Sequence, residues 1–304
     1  MTLKVGFIGL GIMGSRMAAQ LRTHGYDLVV FNRTRDKVDT LLHDGAMWAT
    51  SPAAVSTDAD VLFTMLAHPE AVAGAALGAN GFLSTMRPAS IWVTCSTVNP
   101  SFAQQMALES RARRILYLDA PVTGSKEAAA RGQLTFLVGG DAADLEVCRP
   151  LLAAMGERIV YVGRHGLGSA MKMVNNLMIA VTMAALSEGV SLGQALGVSR
   201  QTIFDTLAAG PLTAPIVAAK RGKIESADYD TDFSMRWLQK DLHLASLSAY
   251  EAGVAMPVVN VTKELYRLAM REGYADQDFS AIYEFLNQPV SRNGKQVAQS
   301  GKRS

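Results

Sequence analysis

The sequence predicts an α/β fold, a doubly wound parallel sheet followed by an all-α domain that is joined to it through a long helix. Three observations carry this. Between residues 3 and 162 short β-rich apolar runs alternate with amphipathic segments. A Gly-x-Gly-x-x-Gly loop stands directly behind the first run. Past Gly168 strand-like runs nearly vanish, and Ala, Leu, Met and Ser dominate.

The runs are 4–8, 27–31, 61–65, 90–94, 115–118, 134–139 and 158–162. Runs this short and this apolar suit strands covered on both faces, as parallel strands are, and the intervening 14–24 and 34–44 have the helical period of βαβ crossovers. In the second half, 169–196, 199–208, 235–252 and 257–272 are rich in helix formers, with Gly197-Val198-Ser199 and Gly210-Pro211 as punctuation. The boundaries drawn from this are 1–163 for the dinucleotide-binding domain and 164–287 for the helical substrate and oligomerisation domain. The tail 288–304 is expected to be disordered, because it holds four cations (Arg292, Lys295, Lys302, Arg303) and no acid.

A chain of 304 residues, 49% hydrophobic, buries a substantial core, and two domains is the better expectation. Its formal net charge of +2 lacks the clustered excess of Lys and Arg that a phosphate-tracking surface needs, so no nucleic-acid partner is expected. The two cysteines, Cys95 and Cys148, form no C-x-x-C pair, which suggests neither a zinc site nor a disulfide framework and fits a reducing compartment. Met1 leads straight into a strand-like run without a secretory pattern. The most apolar stretch, 171–186, is interrupted by Lys172, Asn175 and Asn176, which are unfavourable in lipid. A cytoplasmic protein with no membrane partner and no metal is the expectation.

The first strand feeds Gly9-Leu10-Gly11-Ile12-Met13-Gly14, and a helix opens near Ser15. Gly9 allows a tight turn, Gly11 lets a pyrophosphate approach the backbone, and Gly14 lets the helix pack on the strand. The helix N-terminus then presents free N–H groups and its positive dipole end to the phosphates. With a strand before it and a helix after it, this loop is the dinucleotide fingerprint of a Rossmann domain. Where an NAD-specific fold places an acid for the ribose 2′-hydroxyl, the chain reads Asn32-Arg33-Thr34. Arg33 can pair bidentately with a 2′-phosphate, helped by Asn32 and Thr34 as neutral donors, which favours NADP(H) over NAD(H). The rival reading is a solvated arginine opening the next helix.

Gly168, Lys172 and Asn176 are four apart and project from one face of the long helix. Met171, Met173, Val174, Leu177 and Met178 surround the lysine, so it stands apart from any solvated stripe. A partly desolvated lysine is suited to acid–base work, delivering a proton to a carbonyl oxygen as hydride reaches carbon. Asn176, one turn on, can hydrogen-bond the lysine or the substrate. A lysine snorkelling along an apolar face is the competing reading.

Four ordered motifs now carry a resemblance: Gly6 to Gly14, Asp119-Ala120-Pro121-Val122-Thr123-Gly124-Ser125, Gly168 to Asn176, and Lys240-Asp241-Leu242-His243-Leu244-Ala245. From about Leu3 to Asn287 the chain resembles the β-hydroxyacid dehydrogenases, which include 3-hydroxyisobutyrate dehydrogenase and the glyoxylate/succinic semialdehyde reductases. The resemblance implies a Rossmann domain, a helical domain and an active site between them, with Lys172 as catalytic acid/base and Asn176 supporting it. It implies that Met65 and Leu66 line the cofactor loop, Thr97 lies near the nicotinamide with Ser96 beside it on the substrate side, and Thr123 and Gly124 hold the substrate carboxylate. Lys240 would reach the cofactor or substrate, while Phe233 and Asp241 resemble active-site positions of the glyoxylate/succinic semialdehyde branch. Each has a bland rival as a turn, core or solvated residue.

The chain departs from many relatives in reading Thr123-Gly124-Ser125-Lys126 where they read Ser-Gly-Gly, and Cys95 replaces the acid often found before the Ser-Thr pair. The first departure, together with Asn32-Arg33-Thr34, points to the glyoxylate/succinic semialdehyde branch. The expected activity is therefore NADPH-dependent reduction of a small semialdehyde or 2-oxo acid, such as glyoxylate, succinic semialdehyde or tartronate semialdehyde. The alternatives are NAD(P)-dependent 3-hydroxyisobutyrate oxidation and, from another class, a non-catalytic dinucleotide-binding reader module. The apolar long helix points to a homo-oligomer, a dimer or tetramer, with a small-molecule carboxylate as ligand.

Overall fold

The structure, a computed structural model, describes residues 3–35, 38–210 and 214–287. The expected disordered tail, 288–304, lies outside the described residues.

The first domain runs β1 (Val5–Ile8), α1 (Ile12–Thr23), β2 (Leu28–Phe31), α2 (Asp39–His43), β3 (Met47–Trp48), α3 (Pro52–Ser56), β4 (Val61–Thr64), α4 (Pro69–Leu77), β5 (Ile91–Thr94), α5 (Pro100–Ala112), β6 (Leu116–Asp119), β7 (Val122–Thr123), α6 (Lys126–Ala130), β8 (Leu134–Gly140), α7 (Ala142–Met155) and β9 (Gly156–Gly163). The path β3-β2-β1-β4-β5-β6 is parallel throughout. Strand β8 then runs antiparallel to β6, with β7 antiparallel and β9 parallel to it. Every residue of β1, β4 and β5 is buried, which is why these strands read as unbroken apolar runs. The order reverses at β1, so the loops after β1 and β4 meet at the switch point where such sheets bind ligands.

The second domain comprises α8 (Leu167–Ala195), α9 (Arg200–Ala209), α10 (Pro215–Ser226), α11 (Met235–Ala252), α12 (Pro257–Ala269) and α13 (Ile282–Leu286). Its core gathers Met183, Phe204, Leu238, Leu242, Tyr266 and Phe279 around α8. Among the described residues one helix, α8, is long and apolar enough to cross a membrane by length and composition alone. Its N-terminal turn is wedged against the sheet instead. A Cβ on Gly168 would lie 2.3 Å from the Leu137 carbonyl oxygen and 2.5 Å from that of Asp119. Gly168 thus serves a close approach of helix to sheet.

The elements to which sequence reading assigns no range are β3, β7, α3, α4, α5, α6, α7, α10 and α13. The expected helix over 34–44 is described only as α2, and the one over 257–272 passes at Met270 into a turn of π-helix.

Candidate active site

The glycine loop is built as the fingerprint requires. Gly9 adopts φ +98°, and a Cβ there would lie 2.3 Å from the Met65 carbonyl oxygen. A Cβ on Gly14 would fall 1.9 Å from the Gly9 carbonyl oxygen, whereas Gly11 faces open space. The loop is therefore held shut beneath and left free above, where a pyrophosphate would rest on the unpaired N–H groups at the start of α1. Leu10 points into the core, and its N–H donates to Asn32 Oδ1 at 3.0 Å. Asn32 Nδ2 donates to the Thr34 carbonyl at 2.8 Å, so this side chain ties the end of β2 to the loop. Arg33 and Thr34 are exposed at the rim of the same crevice. Met65 and Leu66, half-buried, continue from β4 alongside.

Ser96 and Thr97 follow β5 and differ from one another. Ser96 is fully buried, its hydroxyl accepting from Leu66 N–H at 2.8 Å and facing the Thr64 carbonyl at 3.4 Å. Those bonds make it a brace between the end of β4 and the loop that carries Leu66. The half-buried Thr97 offers its carbonyl to Lys240 Nζ at 3.0 Å, a bond between the two domains.

Lys172 lies one turn into α8 and is only 9% exposed. Burial pushes its ammonium down to about 8; nearby Asp241 pulls upward, and Lys240 pushes further down. Asn176 is buried, and its Nδ2 donates to Asp241 Oδ2 at 2.5 Å while its Oδ1 accepts from Asn175 at 2.9 Å. Asp241, 2% exposed, lies 2.7 Å from Lys240 Nζ through its other oxygen. Asp241 is thus held by a hydrogen bond through Oδ2 and an ion pair through Oδ1, within electrostatic reach of the lysine. The arrangement holds an amine whose proton is neither tightly kept nor already given up, which is what a proton donor working near neutral pH requires.

The substrate loop follows β6 and the short β7. Thr123 pairs with Thr135 of β8, and Gly124 adopts φ +136°, a conformation that suits glycine. Ser125 then caps α6 through its hydroxyl, which accepts from Ala128 N–H at 3.2 Å. Across the cleft Phe233 precedes α11, half-buried, with its ring 6.0 Å from that of Phe279.

The structure therefore links Asn176, Asp241, Lys240 and Thr97 through hydrogen bonds and an ion pair, with Lys172 one turn before Asn176 and within electrostatic reach of Asp241 and Lys240, and with the glycine loop, Thr123-Gly124 and Phe233 on the elements around them. Sequence reading assigned no role to Asp119. This carboxylate is fully buried at the end of β6, where it accepts from the Gly166 and Ser169 N–H groups at 2.8 and 2.7 Å. It fastens the first turn of α8, and so Lys172, to the carboxyl edge of the sheet. The available signal was an acid ending an apolar strand inside a recognised motif.

Residues 4–163 match the family described as the NAD binding domain of 6-phosphogluconate dehydrogenase, and residues 166–286 match the NAD-binding family of NADP-dependent 3-hydroxyisobutyrate dehydrogenase. The chain is 36% identical over 291 residues to glyoxylate/succinic semialdehyde reductase 2, chloroplastic, of Arabidopsis thaliana, covering 96% of this chain and 81% of that protein. It is 36% identical over 291 residues to the NAD-dependent L-serine dehydrogenase of Pseudomonas aeruginosa, covering 93% and 98%. Among solved structures, the 3-hydroxyisobutyrate dehydrogenase of Mycobacterium tuberculosis with L-serine superposes with a TM-score of 0.87 at 29% identity, covering 94% of this chain and all of that one.

Proposed function

The chain belongs to the β-hydroxyacid dehydrogenase family of NAD(P)-dependent oxidoreductases, and on that premise we propose that it reduces a small semialdehyde or 2-oxo acid with NADPH. Glyoxylate, succinic semialdehyde and tartronate semialdehyde are the substrates of choice. The observation that carries the chemistry is Lys172, buried and depressed to about 8 beside Asp241; the choice of substrate and of NADPH is supported by Thr123-Gly124-Ser125-Lys126, by Asn32-Arg33-Thr34 and by the likeness to glyoxylate/succinic semialdehyde reductase 2.

The bound nicotinamide supplies the hydride. Lys172 as ammonium gives its proton to the carbonyl oxygen, so that no alkoxide has to leave the site unprotonated. Asp241 acts on the amine through its charge, and Asn176 holds Asp241 in place. Thr123 and Gly124 receive the substrate carboxylate, and Phe233 closes over its carbon chain from the helical domain. Lys240 keeps Thr97 in register beside the reacting face. Arg33 reads the 2′-phosphate, helped by Thr34. A module that only bound a dinucleotide would have no use for a buried lysine of this kind. A cytoplasmic location belongs to the same reading and rests on two free, buried cysteines.

Oxidation of 3-hydroxyisobutyrate is the second reading, favoured by the likeness to the Mycobacterium tuberculosis enzyme. It uses the same residues, with Lys172 neutral and acting as base. A substrate panel run with both cofactors separates the two. We expect turnover of glyoxylate and succinic semialdehyde with NADPH ahead of NADH, and loss of that preference in Arg33→Asp. Turnover of 3-hydroxyisobutyrate alone sinks the first reading, and an unchanged cofactor ratio in the variant removes Arg33 from its role.

A further inference from the structure

The substrate loop and Phe233 sit on different domains, and a charge network that the chemistry above leaves unused lies between them. Lys126 opens α6, three residues past Thr123. Its Nζ lies 2.8 Å from Asp230 Oδ2 and 3.1 Å from Asp232 Oδ1, and it donates to the Thr231 carbonyl at 3.3 Å. These three residues form the stretch of the α10–α11 loop that runs directly into Phe233.

The far side of that stretch is pinned to its own domain. Lys220, 5% exposed, pairs with Asp232 at 2.9 Å and with Asp278 at 2.8 Å. The fully buried Asp278 accepts the N–H groups of Asp232 and Phe233 at 3.2 and 3.3 Å. The backbone carrying Phe233 is therefore stiff within the helical domain, and Lys126 is a charged grip on it from the other domain. Lys126 thus joins the domains directly between Phe233 and Thr123-Gly124, in addition to the bond that Lys240 makes to Thr97. With its ammonium committed to two carboxylates and a carbonyl, Lys126 is poorly placed to serve as the substrate's own counter-ion.

We propose that Lys126 is a positioning residue for substrate selection: by latching onto Asp230 and Asp232 it holds the Thr123-Gly124 loop against Phe233 and completes the carboxylate pocket. This rests on the function proposed above. A pocket assembled across two domains gains affinity for short carboxylates through preorganisation, because no ordering is left to be done on binding.

Full-length Lys126→Met, Lys126→Arg and Asp230→Asn proteins test it with succinic semialdehyde and NADPH. In Lys126→Met, KM for the aldehyde rises about three- to tenfold, with kcat changed by less than about twofold and NADPH affinity, read by fluorescence, unaltered. Lys126→Arg restores KM, Asp230→Asn is intermediate, and on the order of 0.5 M salt moves the wild-type KM toward that of Lys126→Met. An unchanged KM, a fall confined to kcat, or no rescue by arginine overturns the latch. If the wild type turns over no substrate of the panel, the functional reading fails, and the latch is judged by hydrogen exchange of the NADPH-bound protein. Segments 122–130 and 228–235 then exchange faster together in Lys126→Met, and independent or unchanged exchange refutes the proposal.

Discussion

Removing an ammonium from water disfavours its charged form, and at Lys172 this effect exceeds the opposing pull of Asp241, leaving a group that titrates at about 8. The direction of reaction then fixes the sign of the pH dependence. Reduction needs the ammonium, so kcat is level below about pH 8 and falls above it, while oxidation of the hydroxy acid needs the free amine and rises through the same range. Asp241→Asn removes the charge that raises the lysine and shifts both limbs to lower pH. Lys172→Met lowers kcat by on the order of a thousandfold and spares NADPH binding; stopped-flow turnover and fluorescence titration check both. Retained turnover would take the lysine out of the mechanism. At this scale Lys172 and Asn176 were legible, because a four-residue spacing and apolar neighbours survive in the sequence. Asp119 and Lys126 were not, since their partners lie 47 and 50 residues away in the first case and 104 in the second.

The element on which the site depends most is the first turn of α8. Its N-cap, Gly166, has no side chain to satisfy the free N–H groups, and Asp119 supplies the acceptor from the neighbouring strand. Asp119→Ala leaves two buried N–H groups without partners and destabilises the protein by about 1–3 kcal/mol in urea unfolding, with kcat falling as Lys172 loses its anchor. Burial raises Asp119 to about 6 from 3.8, against the pull of the Gly166 and Ser169 N–H groups. The folded state therefore binds this proton more tightly than the unfolded one. The stability so gained is full below about pH 4 and is lost as pH rises through about 6. The gap between wild type and Asp119→Ala widens accordingly on acidification over that range; a constant gap would mean that Asp119 is not the titrating group. The strands of the parallel sheet were legible as elements because burial on both faces leaves continuous apolar runs. Helix α10 was not, because Lys220, Arg221, Gly222 and Lys223 interrupt any helical apolar period, and β7, two residues long, carries no period at all.

At the scale of the whole molecule, α8 and α12 leave an apolar stripe uncovered. Met171, Val174, Met178 and Leu192 on α8 are 40–62% exposed, and Val258, Val261 and Leu268 on α12 are 50–72% exposed. Positions 171, 174 and 178, like 258, 261, 265 and 268, alternate steps of three and four, the spacing that keeps one helix face toward a partner. Such a face on a monomer in water would leave contiguous apolar area hydrated. A lipid surface suits it poorly, because Lys172 and Asn176 lie buried on the same helix and are needed at the cleft. A second copy of the chain is the occupant we expect, because a face shared about a two-fold axis is self-complementary by symmetry. Sedimentation should therefore find a dimer or tetramer at micromolar concentration. Met178→Glu with Val261→Glu, both on the exposed side of their helices, should shift the protein toward monomer while circular dichroism stays that of a helical fold. A wild-type protein that sediments as a monomer would leave the stripe without this explanation, and a double variant that remains oligomeric would place the contact elsewhere on the surface.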